Sequence, residues 1–318
     1  MRYKKLGRSG VDVSTLTIGT WAMGGVGYGP VEKKECIDAV HAMVEQGVNH
    51  IDTAWVYGLG ESDKVIGEAI KGIRDKVLIT TKCGFRNPSD GVGPNFPDCS
   101  PEWITKCFEE SLRNLGTDYV DFFLIHVPDA NVPYEVTAEC VNKWIRDGKV
   151  CYAGVSNFGV EDMEKMGKYL DITANQSGYS MVNRAEEANM VWARKHEIGI
   201  MTHSSLANGI LTGAIRELPR YPKDDIRNIY PMYSHLREPM FSKVMELLKT
   251  LDKIAAERNV PVAQVSLNWN TQKDFVTTSL CGVRNVKEAL ENCKSTEWEL
   301  TAEEMAAIDK AIDNTLGE

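Results

Sequence analysis

Four titratable side chains follow three consecutive apolar segments of the chain. Asp52 lies near the end of segment 48–53 with Tyr57 just beyond it, Lys82 ends segment 77–82, and His126 lies near the end of segment 120–127. Each residue alone has an ordinary structural explanation, as a loop cap, an extended amine, a core imidazole or a packing aromatic. The group is harder to explain that way, because burying several charges together costs several kcal/mol. If the segments are neighbouring parallel strands, their carboxyl ends bring the four side chains to one point.

These four residue types suit proton transfer to a carbonyl oxygen. A tyrosine of ordinary pKa (~10) is a weak acid, and the ammonium of Lys82 would stabilise the phenolate of Tyr57 and lower that pKa. Asp52 can pair with Lys82, and His126 can hydrogen-bond the phenol or orient a substrate carbonyl. Such a general acid contributes about 10²–10⁴ in rate. Reduction also needs a hydride, which no side chain supplies, so the sequence predicts a nicotinamide cofactor.

The elements that must position these residues alternate regularly along the chain. The strand candidates are 16–21, 48–53, 77–82, 120–127, 152–156, 172–176, 199–204 and 275–280. The helix candidates are 33–46, 62–71, 101–115, 134–147, 161–169, 185–196, 241–268, 286–294 and 302–313. Pro261 is expected to divide the segment 241–268 into two helices. This alternation predicts an α/β fold of the (β/α)8 TIM-barrel type, with its chemistry at the carboxyl ends of the strands.

A doubly wound open sheet is the competing architecture. Its Gly-rich first turn would have to be the run Gly24-Gly-Val-Gly-Tyr-Gly29, which misses G-x-G-x-x-G because residue 30 is proline. The closed barrel is therefore favoured. Two features lie outside its repeat: residues 3–13 predict a hairpin that plugs the barrel bottom, and 212–240 predicts a long lid or binding loop. No low-complexity linker divides the chain, so residues 1–318 are expected to form a single domain.

Composition excludes several classes of protein. The 318 residues are 43% hydrophobic and 25% charged with a formal net charge of −9, which argues against nucleic-acid binding and docking on anionic lipid. The chain has no signal-peptide pattern and no apolar run long enough to span a membrane. Its 8 cysteines lack Cys-x-x-Cys spacing, and we expect free thiols in a reducing cytoplasm. The histidines are not spaced as ligands, so no metal is predicted.

Several motifs together resemble the aldo-keto reductase family over the whole chain. They are Asp-Thr-Ala-x-x-Tyr-Gly at 52–58, the strand-end Lys82, Leu-Ile-His at 124–126, Gly-Val-Ser-Asn-Phe at 154–158, Asn-Gln-Ser at 175–177 and Gly-Thr-Trp at 19–21. The resemblance implies that Asp52, Tyr57, Lys82 and His126 form the catalytic tetrad. It also implies that Ser156, Asn157 and Gln176 hold the nicotinamide carboxamide. Thr20 and Trp21 are expected to lie beside the nicotinamide and the substrate.

The remaining cofactor contacts implied by the resemblance come from two segments. His203 stands where the family commonly has a stacking aromatic, and its protonation would disfavour the oxidised, positively charged ring. The residues expected near the pyrophosphate are Leu206, Ala207, Asn208, Gly209 and Leu211, and Ser204 and Ser205 are further expected cofactor contacts. The C-terminal motif supplies Gly282, Arg284, Glu288, Glu291 and Asn292.

Arg284 is the candidate ligand for a 2′-phosphate, which favours NADP(H) over NAD(H). Glu288 replaces a frequent glutamine and would oppose that phosphate. A different explanation stays open, namely that Arg284 and Glu288 are an i, i+4 pair on a helix surface.

The predicted substrate pocket is lined by aromatic and titratable residues: Trp21, Trp55, Tyr57, Phe85 and His126. Such a lining suits an aldehyde or ketone, including a sugar-derived one, although the tryptophans could equally pack loops. The resemblance implies NAD(P)H-dependent carbonyl reduction or its reverse. The alternative is a nicotinamide-nucleotide-sensing regulatory subunit on the same fold with little turnover. The sequence leaves the natural substrate and the oligomeric state open.

Overall fold

Eight parallel strands close into a barrel. The computed structural model describes residues 1–25, 31–87, 95–221, 226–229 and 231–317, so parts of the Gly24–Gly29 run and of loops 84–99 and 212–240 lie outside the described residues. The strands are β1 (Tyr3–Lys5), β2 (Asp12–Ser14), β3 (Leu16–Gly19), β4 (His50–Asp52), β5 (Leu78–Cys83), β6 (Phe85–Arg86), β7 (Phe96–Pro97), β8 (Val120–Ile125), β9 (Val150–Ser156), β10 (Ile172–Gly178), β11 (Gly199–His203) and β12 (Thr278–Gly282). The barrel order is β10-β11-β12-β3-β4-β5-β8-β9. The predicted (β/α)8 barrel is confirmed.

Helices connect the barrel strands. They are α1 (Lys33–Glu45), α2 (Glu61–Ala69), α3 (Pro101–Leu115), α4 (Tyr134–Arg146), α5 (Val160–Met166), α6 (Glu187–Lys195), α7 (Ile226–Ile229), α8 (Met240–Arg258), α9 (Val262–Gln272), α10 (Val286–Cys293) and α11 (Ala302–Leu316). Pro261 separates α8 from α9 as predicted. None of the helices in the described ranges is long and apolar enough to cross a bilayer.

Helix α3 shows how local sequence sets an element's limits. The Ser100 hydroxyl accepts a hydrogen bond from the Trp103 N–H at 3.4 Å, and Pro101 occupies the first helical position. Gly116 ends the helix with a left-handed φ of 65°, a conformation that costs glycine little. The helix therefore begins and ends where the sequence predicts.

The N-terminal hairpin closes the amino end of the barrel. Strands β1 and β2 pair antiparallel, and Leu6 and Val13 pack with residues of the barrel interior such as Phe122 and Leu280. The amine of Lys4 donates to the carbonyl oxygens of Thr271 at 2.8 Å and Val276 at 2.7 Å. The predicted plug is confirmed, and the carboxyl ends of the strands remain as the face where loops can form a binding site.

The observed elements differ from the predicted ones mainly at their ends. The last barrel strand begins at Thr278, although the apolar run starts at Phe275, because the Val276 N–H donates to the carbonyl oxygen of Lys273 at 2.9 Å in a turn rather than to a neighbouring strand. The short pair β6–β7 and helix α7 were not predicted. Both lie in loops whose composition carries no strand or helix periodicity.

Candidate active site

Asp52 and Lys82 form a buried ion pair at the ends of β4 and β5. Lys82 Nζ donates to Asp52 Oδ2 at 2.7 Å and to the carbonyl oxygen of Thr53 at 2.9 Å. The two side chains are 1% and 0% exposed. Burial raises the pKa of Asp52 and lowers that of Lys82, and their mutual contact opposes both shifts. The pair therefore holds an ammonium group inside the barrel mouth.

A close contact between two loops fixes the position of Tyr57. Gly58 has a φ of +66°, and a Cβ there would lie 2.2 Å from the carbonyl oxygen of Gly24. Glycine is required at such a position because no side chain fits. The contact joins the loops that follow β3 and β4, and the rings of Trp21 and Tyr57 stack with centroids 6.0 Å apart.

Tyr57 lies beside two other members of the predicted proton-transfer group, Lys82 and His126. Lys82 Nζ is 5.1 Å from the centroid of the Tyr57 ring. The His126 ring stands edge-on to Tyr57 with centroids 6.0 Å apart. The structure thus brings together the phenol, the ammonium and the imidazole that the sequence placed at three strand ends.

His126 is an uncharged imidazole at neutral pH. Burial lowers its pKa well below the usual value, and the charge of Lys82 adds to the shift. Its Nδ1 is buried without a hydrogen-bond partner among the described residues. The Phe85 ring packs edge-on against it at 4.7 Å between centroids. A neutral imidazole in this position can donate one hydrogen bond from its N–H to a ligand oxygen.

Three polar residues, here called the carboxamide clamp, lie at the carboxyl ends of the neighbouring strands β9 and β10. Ser156 ends β9, Asn157 directly follows it, and Gln176 lies in β10. Asn157 Nδ2 donates to the carbonyl oxygen of His126 and to Ser156 Oγ, both at 3.1 Å. Gln176 Nε2 donates to Asp52 Oδ1 at 2.7 Å. These bonds leave the Ser156 proton and the side-chain oxygen of Gln176 for a ligand. Asn157 Oδ1 faces His203 Nε2 at 3.2 Å and has a second lone pair that can accept from a ligand. One donor and two acceptors complement a primary carboxamide, which offers one oxygen and two N–H groups.

His203 lies at the end of β11, next to the clamp. Its Nε2 is 3.2 Å from Asn157 Oδ1 and its Nδ1 is 3.1 Å from Ser204 Oγ. Burial, with a smaller contribution from Lys82, lowers the pKa of His203 to about 4. Near neutral pH the ring is uncharged, so it can offer a flat face without repelling a positively charged ligand ring. Gly178 lies under that ring, because a Cβ there would be 3.1 Å from His203 Cε1.

The loop after β11 turns sharply beside a cleft. Ser204, Ala207, Asn208 and Gly209 have φ values of +58°, +46°, +56° and +96°, and successive left-handed residues expose backbone N–H groups that suit an anion. The adjacent cleft has a volume of about 250 Å³. It is lined by Asn157, Gly178, Ser180, Asn183, Glu186, His203, Ser204, Ala207, Asn208 and Met232.

Three of the predicted cofactor residues have side chains engaged inside the protein. Thr20 Oγ1 donates to the carbonyl oxygen of Asp52 at 3.0 Å, Ser205 Oγ donates to that of Thr202 at 3.2 Å, and Leu211 is fully buried in the core. These side chains therefore stabilise the loops that follow β3 and β11. Leu206, Asn208 and Gly209 remain half-buried at the surface.

The C-terminal motif surrounds the start of α10. Arg284 Nη2 donates to Glu288 Oε1 at 2.7 Å, which is the i, i+4 pair that the sequence left open. Asn285 caps α10 by accepting from the Glu288 N–H at 3.0 Å. Arg227, which the sequence analysis did not single out, acts on Arg284 from α7: Glu288 raises the pKa of Arg284, and the charge of Arg227 opposes that shift.

The other members of this motif differ in exposure. Gly282 is exposed at the end of β12 and pairs with Gly19. Glu291 is half-buried, and its carbonyl oxygen accepts from Gln264 Nε2 at 3.0 Å. Asn292 is buried. The motif therefore presents Gly282, Arg284 and Glu288 to the surface more fully than Asn292.

Trp55 packs against α3. Its indole N–H donates to Glu110 Oε2 at 2.8 Å, its ring packs edge-on against Trp103 at 5.3 Å, and it is only 8% exposed. Its contribution to the substrate pocket stays a prediction. Phe85 and Trp21, in contrast, are half-buried and lie against His126 and Tyr57.

The arrangement fits a nicotinamide dinucleotide in three respects. The clamp matches a carboxamide, the neutral ring of His203 offers a flat face, and the left-handed loop beside the cleft presents backbone donors for phosphate. By contrast, no group of three or more His, Cys, Asp or Glu residues is arranged to hold a metal ion in the parts of the chain that the structure describes.

The comparisons with known proteins identify the family of the chain. The model for "Aldo/keto reductase family" matches residues 15–313. "Aldo-keto reductase YhdN" of Bacillus subtilis is 31% identical over 100% of this chain and 96% of its own. A "Probable voltage-gated potassium channel subunit beta" of Arabidopsis thaliana is 30% identical over 93% of this chain and 92% of its own. The structure of the glycerol dehydrogenase AKR11B4 from Gluconobacter oxydans has a TM-score of 0.88 at 29% identity, covering 100% of this chain and 96% of that one.

The fold and the strand-end residues thus define a barrel oxidoreductase of the nicotinamide-dependent class. The chain belongs to the aldo/keto reductase family.

Proposed function

We propose that this protein reduces an aldehyde or ketone to an alcohol, or catalyses the reverse reaction, with Tyr57 as the general acid or base. The observation that carries the proposal is the position of Tyr57, with its ring 5.1 Å from Lys82 Nζ and 6.0 Å from the His126 ring. A buried ammonium beside a phenol is the arrangement that proton transfer to a carbonyl oxygen requires. The proposed substrates are small carbonyl compounds, including sugar-derived ones, that fit among Trp21, Phe85 and His126.

Each side chain of the group has a separate task. Tyr57 delivers its phenolic proton to the carbonyl oxygen, and the Lys82 ammonium stabilises the phenolate that remains. Asp52 keeps Lys82 in place, and neutral His126 hydrogen-bonds the same substrate oxygen. The nicotinamide, when bound, supplies the hydride.

The chain's own residues would hold the cofactor along the barrel mouth. The clamp takes the carboxamide, His203 lies against the nicotinamide ring, and the backbone of Ser204, Leu206, Asn208 and Gly209 meets the pyrophosphate. Gly282, Glu288, Glu291 and Asn292 surround the adenosine end, where Arg284 binds the 2′-phosphate of NADP(H). The charge of Arg227, which acts on Arg284 from α7, supports this last assignment, because both guanidinium groups attract an anion.

The experiment that tests the proposed function is a carbonyl screen. Purified protein is mixed with NADPH or NADH and a panel of small aldehydes, ketones and aldoses, and the loss of nicotinamide absorbance is followed. We expect carbonyl-dependent oxidation with at least one substrate class. Tight nucleotide binding with no carbonyl-dependent oxidation would support the second candidate, a regulatory subunit, which the potassium-channel-subunit relative favours.

Replacing Arg284 with alanine tests the choice of nucleotide. Charge-assisted hydrogen bonds are worth about 1.5–3 kcal/mol, so we expect the Kd for NADPH to rise about 10- to 100-fold and that for NADH to change little. Fluorescence titration with each nucleotide measures both constants. Arg8→Ala is the matched control, because Arg8 pairs with Asp171 at 3.3 Å next to the N-terminal hairpin. Equal losses for the two nucleotides would reject the 2′-phosphate assignment.

Replacing His203 with phenylalanine tests its contact with the clamp. The variant keeps a flat ring but removes the nitrogen that faces Asn157 Oδ1. One neutral hydrogen bond contributes about 0.5–1.5 kcal/mol, so nucleotide affinity should fall about 2- to 12-fold. Because the pKa of His203 is about 4, affinity of the wild type for the oxidised nucleotide should stay flat across neutral pH. An inflection near neutrality that His203→Phe abolishes would contradict this.

A further inference from the structure

Asp63 is a buried carboxylate that the proposed proton transfer does not use. It is the third residue of α2 and is fully buried. Its Oδ1 accepts from Thr53 Oγ1 at 2.6 Å and its Oδ2 accepts from Ser111 Oγ at 2.7 Å. No basic group forms an ion pair with it within the described part of the chain. A buried carboxylate held only by hydroxyl groups is costly, so its position calls for an explanation.

The hydrogen bonds of Asp63 lead to the ammonium of Lys82. Thr53, whose hydroxyl binds Asp63, accepts from Lys82 Nζ through its carbonyl oxygen at 2.9 Å. The hydroxyl of Thr53 also contacts Ser62 Oγ at 3.1 Å, and Ser62 Oγ contacts Thr20 Oγ1 at 2.6 Å. Asp63 therefore anchors a chain of buried hydroxyls that runs behind the Asp52–Lys82 pair. The amino end of α2 also favours a carboxylate at this position.

The charges around Lys82 indicate a second role for Asp63, which is to balance the charge of the ammonium. Burial and, to a smaller extent, the charge of Lys82 lower the pKa of three imidazoles, and all three are neutral near pH 7. The pKa of His50 falls to about 3 and that of His203 to about 4. The pKa of His126 lies well below its usual value. Burial also raises the pKa of the Cys83 thiol, the next residue of β5 after Lys82, and so keeps it protonated.

Two carboxylates in the described structure therefore remain to balance this ammonium. Asp52 touches it directly, and Asp63 acts on it through space.

We propose that Asp63 is a positioning residue of the candidate active site: it fixes Thr53 beneath Lys82 Nζ and supplies the second negative charge that keeps the buried ammonium protonated. The mechanistic consequence rests on the proposed function, because a protonated Lys82 is what makes Tyr57 an effective acid. The charge balance itself does not depend on any activity. The two can therefore be tested separately.

The direct test measures the protonation of Lys82. Protein carrying 13Cε-labelled lysine is titrated by NMR, and the Lys82 resonance is assigned by its loss in Lys82→Arg. In Asp63→Asn, which keeps the shape of the side chain, we expect the titration midpoint of Lys82 to fall by ~1 pH unit or more. An unchanged midpoint in folded Asp63→Asn would overturn the proposal, even if the variant were less stable.

Asp121→Asn is the matched control. Asp121 is a half-buried carboxylate at the other end of the barrel that accepts from Arg74 Nη2 at 2.9 Å and from the Ile79 N–H at 2.8 Å. This change weakens the hydrogen bonds made by another carboxylate of the barrel, but the titration midpoint of Lys82 should stay unchanged. A shift as large as that of Asp63→Asn would mean that general loosening of the barrel moves the Lys82 midpoint, and would count against a specific role of Asp63.

Wild-type protein gives an independent measurement if Asp63→Asn does not fold. Burial raises the pKa of Asp63 to about 6, whereas the nearby imidazoles titrate lower. The Lys82 resonance should therefore show a small second inflection near pH 6, and its absence would overturn the proposal. In an active enzyme, Asp63→Asn should also move the basic limb of kcat to lower pH with little change in KM. Absence of turnover in the wild type would refute only the proposed function, because the NMR titration needs none.

Discussion

Phenylalanine in place of Tyr57 is expected to lower kcat about 10²–10⁴-fold, which is the usual contribution of a positioned general acid. The change removes one oxygen and keeps the ring that stacks on Trp21 and stands edge-on to His126. Nucleotide affinity should therefore change little, because the carboxamide clamp and His203 are untouched. Steady-state kinetics with a substrate from the carbonyl screen and nucleotide titration together measure the two effects.

The matched control for this variant is Tyr134→Phe. The Tyr134 hydroxyl donates to Asp162 Oδ1 at 2.7 Å on the outer helices, so its loss should leave turnover near that of the wild type. Turnover of Tyr57→Phe equal to that of the wild type would remove Tyr57 as the acid. A parallel loss of turnover in both variants would point to a general loss of structure.

Replacing Lys82 with methionine should have the largest effect on stability. The change leaves Asp52, which is 1% exposed, with a hydrogen bond from Gln176 Nε2 at 2.7 Å but without its ammonium partner. Breaking a buried ion pair from one side costs about 3–5 kcal/mol, so we expect the free energy of unfolding at neutral pH to fall by that amount. Turnover should be lost as well.

The pH dependence of that loss identifies its cause. Without the ammonium, the pKa of the buried carboxylate rises above its value in the unfolded chain, so the folded state binds more protons. The lost stability should therefore return as the pH falls and remain absent as it rises. Urea unfolding at several pH values measures this, and the double variant Asp52→Asn/Lys82→Met should recover part of the loss at neutral pH. A loss that is independent of pH and persists in the double variant would mean that packing, rather than charge, is responsible.

The sequence predicted the parts of the molecule that depend on local signals or on the geometry of parallel strands. Helix α3 has the predicted limits because Ser100, Pro101 and Gly116 act within a few residues of it. Asp52 and Lys82 meet because the ends of neighbouring parallel strands lie at one edge of the barrel. Neither result needs knowledge of distant side chains.

The sequence could not predict contacts that depend on residues far along the chain. The side on which Trp55 packs is decided by Glu110 and Trp103 of α3. Asp63 looks like an ordinary acidic residue in a first helical turn until Ser111 is placed against it. Asp63 lies three residues after the N-cap Gly60 and four residues before the buried Gly67. This spacing alone gives no sign that its carboxylate binds Thr53, whose carbonyl oxygen accepts from Lys82.

Arg227 illustrates a different limit. It belongs to a four-residue helix in an irregular segment, where no periodicity tells which side chains share a face. The charge state of His203 could not be predicted either. A histidine at this position could carry a positive charge that repels an oxidised nicotinamide, and only its burial in the fold shows that it is neutral.

The seam between β12 and β3 has a consequence for synthesis of the chain. Ser279 pairs with Leu16 and Gly282 with Gly19. The first barrel strand to be synthesised, β3, therefore pairs with the last, β12. Until the residues around Ser279 have emerged, one edge of β3 has no strand beside it, and exposed strand edges invite pairing with other chains. Nascent molecules truncated before β12 should therefore depend on chaperones far more than the finished protein.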